Sequence, residues 1–225
     1  MTIKPKQNLV SKNKYNIKCP YPMNAEYITI HNTYNDAPAE NEIKYMIGNN
    51  NEVSFHYAID DKEVVQGIPI DRNAWHCGDG LKGKGNRSSI GIEISYSKSG
   101  GERYRRAEAL TVKFVAQLLK ERNWGIDKVK KHQDWSNKYC PHRILGEDRW
   151  NAFLKAIETE LKPKQEEVNM ELKDWQYKDL QAAYQNAYDR NILKSNKWVG
   201  KARKKEITLD EAIFLNTVIV DRALK

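Results

Sequence analysis

The sequence predicts an α/β fold, a mixed central sheet flanked by helices, followed by a small all-helical C-terminal domain. Between residues 27 and 161, short β-branched runs interleave with stretches of helical periodicity. Composition then breaks at Lys162-Pro163-Lys164-Gln165-Glu166-Glu167, which has no large apolar residue, one proline and several charges. Beyond the break only helix patterns occur. The expected division is therefore residues 1–162, a linker at 163–168, and a helical domain at 169–225.

Each element has its own signal. Tyr27 to Thr33 is a β-branched strand that runs into a loop at His31. Pro38 opens a helix with Glu40 and Glu42 in its first turn, and Gly48-Asn49-Asn50-Asn51 breaks it. Ser54 to Asp60 alternates as a strand, and Asp60-Asp61-Lys62 turns it into a second, Glu63 to Ile68. A glycine-rich loop covers Trp75 to Gly85. In the strand Ser89 to Ser95, Ile90, Ile92 and Ile94 share one face, with Gly91, Glu93 and Ser95 on the other. Glu102 to Asn123 is the clearest helix, with Leu110, Phe114, Val115, Leu118 and Leu119 at helical spacing and Asn123 and Gly125 as its stop. A short strand near Val129 leads to His132, and a helix from about Asp148 to Leu161 closes the domain on Trp150, Phe153, Leu154 and Ile157.

In the C-terminal part, Asp174 and Ser195 are candidate caps, and Thr208-Leu209-Asp210-Glu211 is a capping box. The expected stripe of the last helix is Ile213, Phe214, Thr217, Val218 and Val220. A domain this small has a marginal core.

With 225 residues, 40% hydrophobic and 30% charged, the chain is neither disordered nor membrane-like, and no apolar run approaches the roughly 20 residues of a membrane helix. Met1 to Val10 lacks the apolar stretch of a signal peptide, so the expectation is synthesis in the cytoplasm without one. The net charge of +8 favours polyanionic partners: nucleic acid, anionic membrane or an acidic wall polymer. Its clusters, Arg103 to Arg106 and Lys201 to Lys205, come with no nucleic-acid motif, so no nucleic-acid partner is expected.

The chemistry concentrates in His31, which closes the first strand, and in a distant His132-Gln133-Asp134-Trp135-Ser136-Asn137-Lys138-Tyr139-Cys140 loop. Two imidazoles and a thiolate suit Zn²⁺, and three protein ligands leave one tetrahedral position for water. This points to a zinc hydrolase. Cys19 and Cys77 are expected as partly buried free thiols, the alternative being that one of them is a fourth, structural ligand that closes the site. Glu93 lies on the strand face opposite the isoleucines, which is expected to look into the cleft. Lys138 lies two residues before Cys140, within reach of an oxyanion. Asn32, His56 and His76 are candidate substrate-binding residues, and His142 reads as structural. Trp75 and Trp135 suit stacking on sugar or peptide, or simple packing.

On these motifs, together with Val53-Ser54-Phe55-His56-Tyr57 and Ser89 to Ile94, residues 24–162 resemble the zinc-dependent N-acetylmuramoyl-L-alanine amidases. That family includes phage lysozyme-type amidases, phage and prophage endolysins of Gram-positive hosts, and peptidoglycan recognition proteins. The resemblance implies hydrolysis of the amide between N-acetylmuramic acid and L-alanine by zinc-activated water, at the wall after release. It also implies His31, His132 and Cys140 as zinc ligands, Lys138 as a catalytic lysine and Glu93 as general base. One departure is Phe55, which stands where some members place a tyrosine beside the metal. Residues 169–225 fall outside the resemblance; similar enzymes often carry a wall-binding domain there, with secondary wall polymers as one candidate ligand. The alternative is a helical dimerisation or packing module, which the apolar stripe of Ile213, Phe214 and Val218 suits equally well. Two alternatives are a non-catalytic peptidoglycan-binding module, disfavoured by Cys140, and a structural-zinc nucleic-acid binder, which needs a fourth ligand.

Overall fold

In the computed structural model, residues 2–162 and 172–224 are described, so the expected linker at 163–168 lies outside them. The chain divides into two compact units, Met1–Lys164 and Gln165–Lys225. In the first, β1 (Lys6–Gln7) and α1 (Tyr15–Lys18) precede β2 (Tyr27–Asn32), α2 (Ala39–Gly48), β3 (Tyr57–Ile59), β4 (Val64–Gln66), α3 (Lys84–Ser88) and β5 (Ser89–Ile94). Then come α4 (Gly101–Arg122), β6 (Val129–Lys131), α5 (Gln133–Ser136), α6 (His142–Gly146) and α7 (Trp150–Leu161). The strands form one sheet in the order β1-β4-β3-β5-β2-β6. Only β3 and β4 pair antiparallel, as their short connection requires; the other pairs are parallel.

Strand alternation puts a different core on each face. Ile28, Ile30, Ile90, Ile92 and Ile94 pack with Phe114, Val115 and Leu118 of α4 and with Phe153 and Ile157 of α7. On the other face Ala58 and Val65 pack with Ala39, Ile43 and Met46 of α2. His31 and Glu93 have the parity of this second face. They are register partners across β2 and β5, and Ala58 of β3 lies opposite Glu93. Both stand near the carboxyl ends of parallel strands, where a sheet of this type opens into a crevice.

The structure departs from the sequence expectation at short elements. The strand expected over 54–60 is regular only at Tyr57–Ile59, because Ser54 Oγ is engaged elsewhere, accepting from Trp75 N at 2.8 Å and donating to the Lys18 carbonyl at 2.6 Å. The second strand shrinks to Val64–Gln66. The glycine-rich loop ends in α3, and β1, α1, α5 and α6 are additional. Asn123 stops α4 as expected, in the left-handed conformation (φ 53°).

In the second unit, α8 (Asp174–Asp189), α9 (Lys197–Arg203) and α10 (Leu209–Ala223) surround Tyr184, Leu193, Val199, Ala202, Ala212 and Leu215. The Thr208 capping box is present, Glu211 N donating to Thr208 Oγ1 at 3.2 Å and Thr208 N to Glu211 Oε2 at 3.1 Å. The other two caps fall one residue away from expectation: Lys173 precedes α8 and Asn196 precedes α9. The stripe on α10 is also corrected. Its inward face is Ala212, Leu215 and Ile219, spaced three and four apart, which turns Ile213, Phe214 and Val220 outward.

Candidate metal centre and active site

β2 delivers His31 to the floor of a cleft of about 820 Å³, and the loop after β6 brings His132 and Cys140 to the same place. His31 Nδ1 faces His132 Nδ1 at 2.9 Å, and Cys140 Sγ is 3.8 Å from His31 Nδ1. All three side chains are buried. Burial, then the His76 and His132 rings, then the Lys138 ammonium, hold His31 well below the usual histidine range. Burial pushes His132 down to about 4, with Lys138 adding to the effect. Both imidazoles are therefore neutral at pH 7, with a lone pair available for a cation.

Burial raises the Cys140 thiol to about 12, and the Glu93 carboxyl adds to the rise. The backbone N–H groups of Asn32 and His142 and the Lys138 ammonium act in the opposite sense, favouring the thiolate. A bound divalent ion would displace that proton outright. Tetrahedral zinc with ordinary bond lengths sets ligand separations of roughly 3.3 Å for N···N and 3.6 Å for N···S. The separations found are within a few tenths of an ångström of these, and the two facing ring nitrogens, 2.9 Å apart, can both turn a lone pair toward a cation placed between them and the thiol. The donor set fits zinc.

Glu93 and Lys138 line the same cleft. Burial, and secondarily the Glu42 carboxylate on α2, push the Glu93 carboxyl up to about 8, against the pull of Lys138. Glu93 Oε2 is buried with no hydrogen-bond partner among the described residues. Lys138 is exposed at the rim. A buried carboxyl and an exposed ammonium thus flank the three candidate ligands.

The expected substrate-binding residues are placed differently. His56 does not line the cleft. It is fully buried, its Nδ1 accepting from Gly91 N at 2.9 Å and its Nε2 donating to the Arg72 carbonyl at 2.9 Å, so it is a core histidine. Asn32 and His76 reach the cleft wall with their polar atoms engaged inside the protein. Asn32 Oδ1 accepts from Arg143 N at 3.0 Å and its Nδ2 donates to Tyr104 Oη at 3.2 Å. The His76 ring lies against His31 and the Ser89 carbonyl at 2.9 and 3.2 Å.

Trp75 lines the cleft, whereas Trp135 packs edge-on against Tyr27 and donates to Thr29 Oγ1 at 2.9 Å. His142, expected to be structural, lies in the cleft wall with its ring against Tyr34 at 4.8 Å. Cys19 and Cys77 form no disulfide, and both are fully buried where partial burial was expected. Cys77 groups with His31 and His76 on the far side of the His31 ring, apart from the His132 and Cys140 set.

Two structural contributors were not among the candidate site residues. Lys18 is a fully buried ammonium that donates to Asn49 Oδ1 at 2.9 Å, to the Val53 carbonyl at 3.1 Å and to the Asn51 carbonyl. It thereby fixes the loop whose Glu52 and Val53 form one rim of the cleft. Gly91 had a readable signal, a lone glycine inside a strand, which marks a close approach by another group. Here that group is the His76 ring.

Residues 21–143 match the N-acetylmuramoyl-L-alanine amidase family. The chain is 68% identical over 162 residues to the N-acetylmuramoyl-L-alanine amidase CwlA of Bacillus subtilis, covering 72% of this chain and 60% of that protein. It is 68% identical over 161 residues to XlyB of the same organism, covering 72% of this chain and 51% of the relative. The chain thus spans only about half to three-fifths of the length of these relatives. Among solved structures, PlyL superposes with a TM-score of 0.67 at 59% identity, over 69% of this chain and 97% of that one. The catalytic domain of XlyA gives 0.62 at 34% identity, over 69% and 99%.

Proposed function

The chain belongs to the N-acetylmuramoyl-L-alanine amidase family, and from that premise we propose that it is a zinc-dependent peptidoglycan hydrolase of the endolysin type. Its bond is the amide joining N-acetylmuramic acid to the L-alanine of the stem peptide. The observation that carries this reading is the convergence of His31 Nδ1, His132 Nδ1 and Cys140 Sγ beneath a cleft that also contains Glu93 and Lys138.

Zinc held by these three residues would supply Lewis acidity and a water acidified to near neutral pH. Glu93, in its carboxylate form, accepts the proton of the attacking water, and then returns it to the departing alanine nitrogen. Lys138 places its ammonium beside the amide oxygen as negative charge develops there. Phe55 and Trp75 wall the cleft and limit water around the reacting carbonyl. The products are a glycan strand and a peptide with a new N-terminal alanine.

Residues 169–225 serve in this account as a wall tether, which raises the effective concentration of the first unit at a polymeric substrate. Support comes from a net charge of +3 (11 basic and 8 acidic residues) and from the exposed Trp175 and Tyr188. Trp198 and Tyr177 pack partly into the unit's core and are less suited to wall contact. No helix among the described residues is long and apolar enough to cross a membrane.

Metal analysis tests the centre. One zinc per chain is expected, with Cys140→Ser losing metal and wall lysis together. A fourth protein ligand from Cys19 or Cys77, or zinc retained in full by Cys140→Ser, would contradict the assignment.

A further inference from the structure

We propose that His76 is a positioning residue for the metal centre, holding His31 in the one tautomer that leaves Nδ1 free to ligate. The inference rests on the zinc reading above and concerns how the chain prepares that site. His76 Nε2 lies 3.2 Å from the Ser89 carbonyl, which can only accept, so His76 carries its proton on Nε2 and a lone pair on Nδ1. That Nδ1 is 2.9 Å from His31 Nε2. A donor opposes this acceptor only if His31 is protonated on Nε2. His31 Nδ1 then bears the lone pair, aimed at His132 and Cys140. The opposite tautomer would set two lone pairs against each other and turn an N–H toward the ion. Fixing the tautomer of a ligating histidine through its second nitrogen is how an outer hydrogen bond tunes metal affinity.

The surroundings of His76 are built to keep its ring in place. The backbone N–H groups of His76 and Cys77 both donate to Asn86 Oδ1, at 2.9 and 2.8 Å. Asn86 is held in turn, its backbone N–H donating to Asp79 Oδ1 at 3.1 Å and its Nδ2 to the Gly80 carbonyl at 3.2 Å. The ring itself lies over Gly91 of β5, where a Cβ would come within 2.8 Å of His76 Cγ and Nδ1. The absence of a side chain at Gly91 is therefore what admits the ring. The competing use of the same atoms is a second ion held by His31 Nε2, His76 Nδ1 and Cys77 Sγ, the last 3.1 Å from His76 Nδ1. It would require stripping the shared proton from His31, so the hydrogen bond is the favoured reading.

The test uses the whole chain and two readouts. Zinc affinity is measured by chelator competition at fixed pH, and the His31 tautomer by long-range ¹H–¹⁵N NMR of the zinc-free protein. His76→Phe keeps the ring volume but removes the acceptor. It should weaken zinc about 10–100-fold and give His31 a mixture of tautomers. His76→Asn places an acceptor oxygen the same number of bonds from Cβ as Nδ1. It should stay within a few-fold of wild type and keep the Nε2–H form. Gly91→Ala, which displaces the ring, should behave as His76→Phe does, and keeps the test open if that variant fails to fold. Wild-type affinity with an unchanged tautomer in His76→Phe would overturn the proposal, as would an equal loss in His76→Asn. Two zincs per wild-type chain, one lost in Cys77→Ser, would replace it with the second-ion site. A wild-type chain that takes up no zinc at all would instead remove the metal reading on which it stands.

Discussion

His31 and His56 stand on the same side of the sheet and have opposite fates, decided by what each ring nitrogen meets. Both nitrogens of His56 are engaged by backbone groups, whereas His31 presents Nδ1 to His132 and Cys140. Sequence spacing marked the candidate ligand set because its three members reinforce one another, but it could not separate a core histidine from a cleft histidine on the same side of the sheet. Burial holds the His56 pKa down to about 4, against about 6.5 in the unfolded chain. Between those values the unfolded state binds more protons, so stability present above pH 6.5 is lost on acidification toward pH 4. His56 alone accounts for ~3 kcal/mol of this loss, and His132 titrates in the same window. Urea midpoints of the zinc-free protein should fall steeply between pH 6.5 and 4; a flat profile would contradict neutral buried imidazoles. Glu93 acts with the opposite sign. Its carboxyl is raised to about 8, so the folded state holds the proton and stability declines as pH rises from about 4.5 to 8. Zinc-free Glu93→Gln should therefore be more stable than wild type at pH 8, by ~2–4 kcal/mol, and equal to it below pH 4.5. With zinc bound, the same variant should keep its metal and lose roughly 10²–10⁴-fold in turnover. Near-normal turnover would move the proton transfer to another group. Tyr57 is excluded from that role by its place in the opposite core, against Phe114.

At the scale of elements, β2 and β5 were legible because β-branched residues alternate along them, and α4 because its apolar stripe runs for several turns. The four- and five-residue helices α3, α5 and α6 were not, since one turn is too short to display a period. The turn between β3 and β4 was readable at Asp60-Asp61-Lys62, but the second duty of Asp60 was not. Asp60 Oδ1 accepts from Lys62 N and Glu63 N, at 2.8 and 2.9 Å, while Oδ2 accepts from Ala39 N at 3.0 Å in the first turn of α2. One buried carboxyl group thus ties the hairpin to the helix covering the His31 face of the sheet. Asp60→Ala leaves these donors without their acceptor and should cost about 2–4 kcal/mol in urea unfolding. Asp60→Asn, which keeps one carbonyl oxygen, should lose less. Equal stability of all three proteins would mean that the hairpin and α2 are held by packing alone.

For the molecule as a whole, the first unit has its own two-sided core and contains every residue of the candidate centre, and the second unit has a separate core of its own. The compact units divide at Lys164–Gln165, within the stretch where composition breaks. The outward turn of Ile213, Phe214 and Val220 was not legible, because an all-apolar stretch of helix does not reveal which side packs. A chain ending at Lys164 should bind one zinc and cleave small muropeptides, yet sediment poorly with walls and lyse them slowly. Equal wall binding by the shortened chain would remove the tethering role. The central claim is amide hydrolysis at a zinc centre, and the most direct measurement of it is end-group analysis of purified walls during a zinc titration of metal-free protein. New N-terminal alanine should appear in proportion to zinc, up to one equivalent per chain, with no new reducing sugar. Reducing ends without alanine, or alanine release that is the same before zinc is restored, would contradict the account.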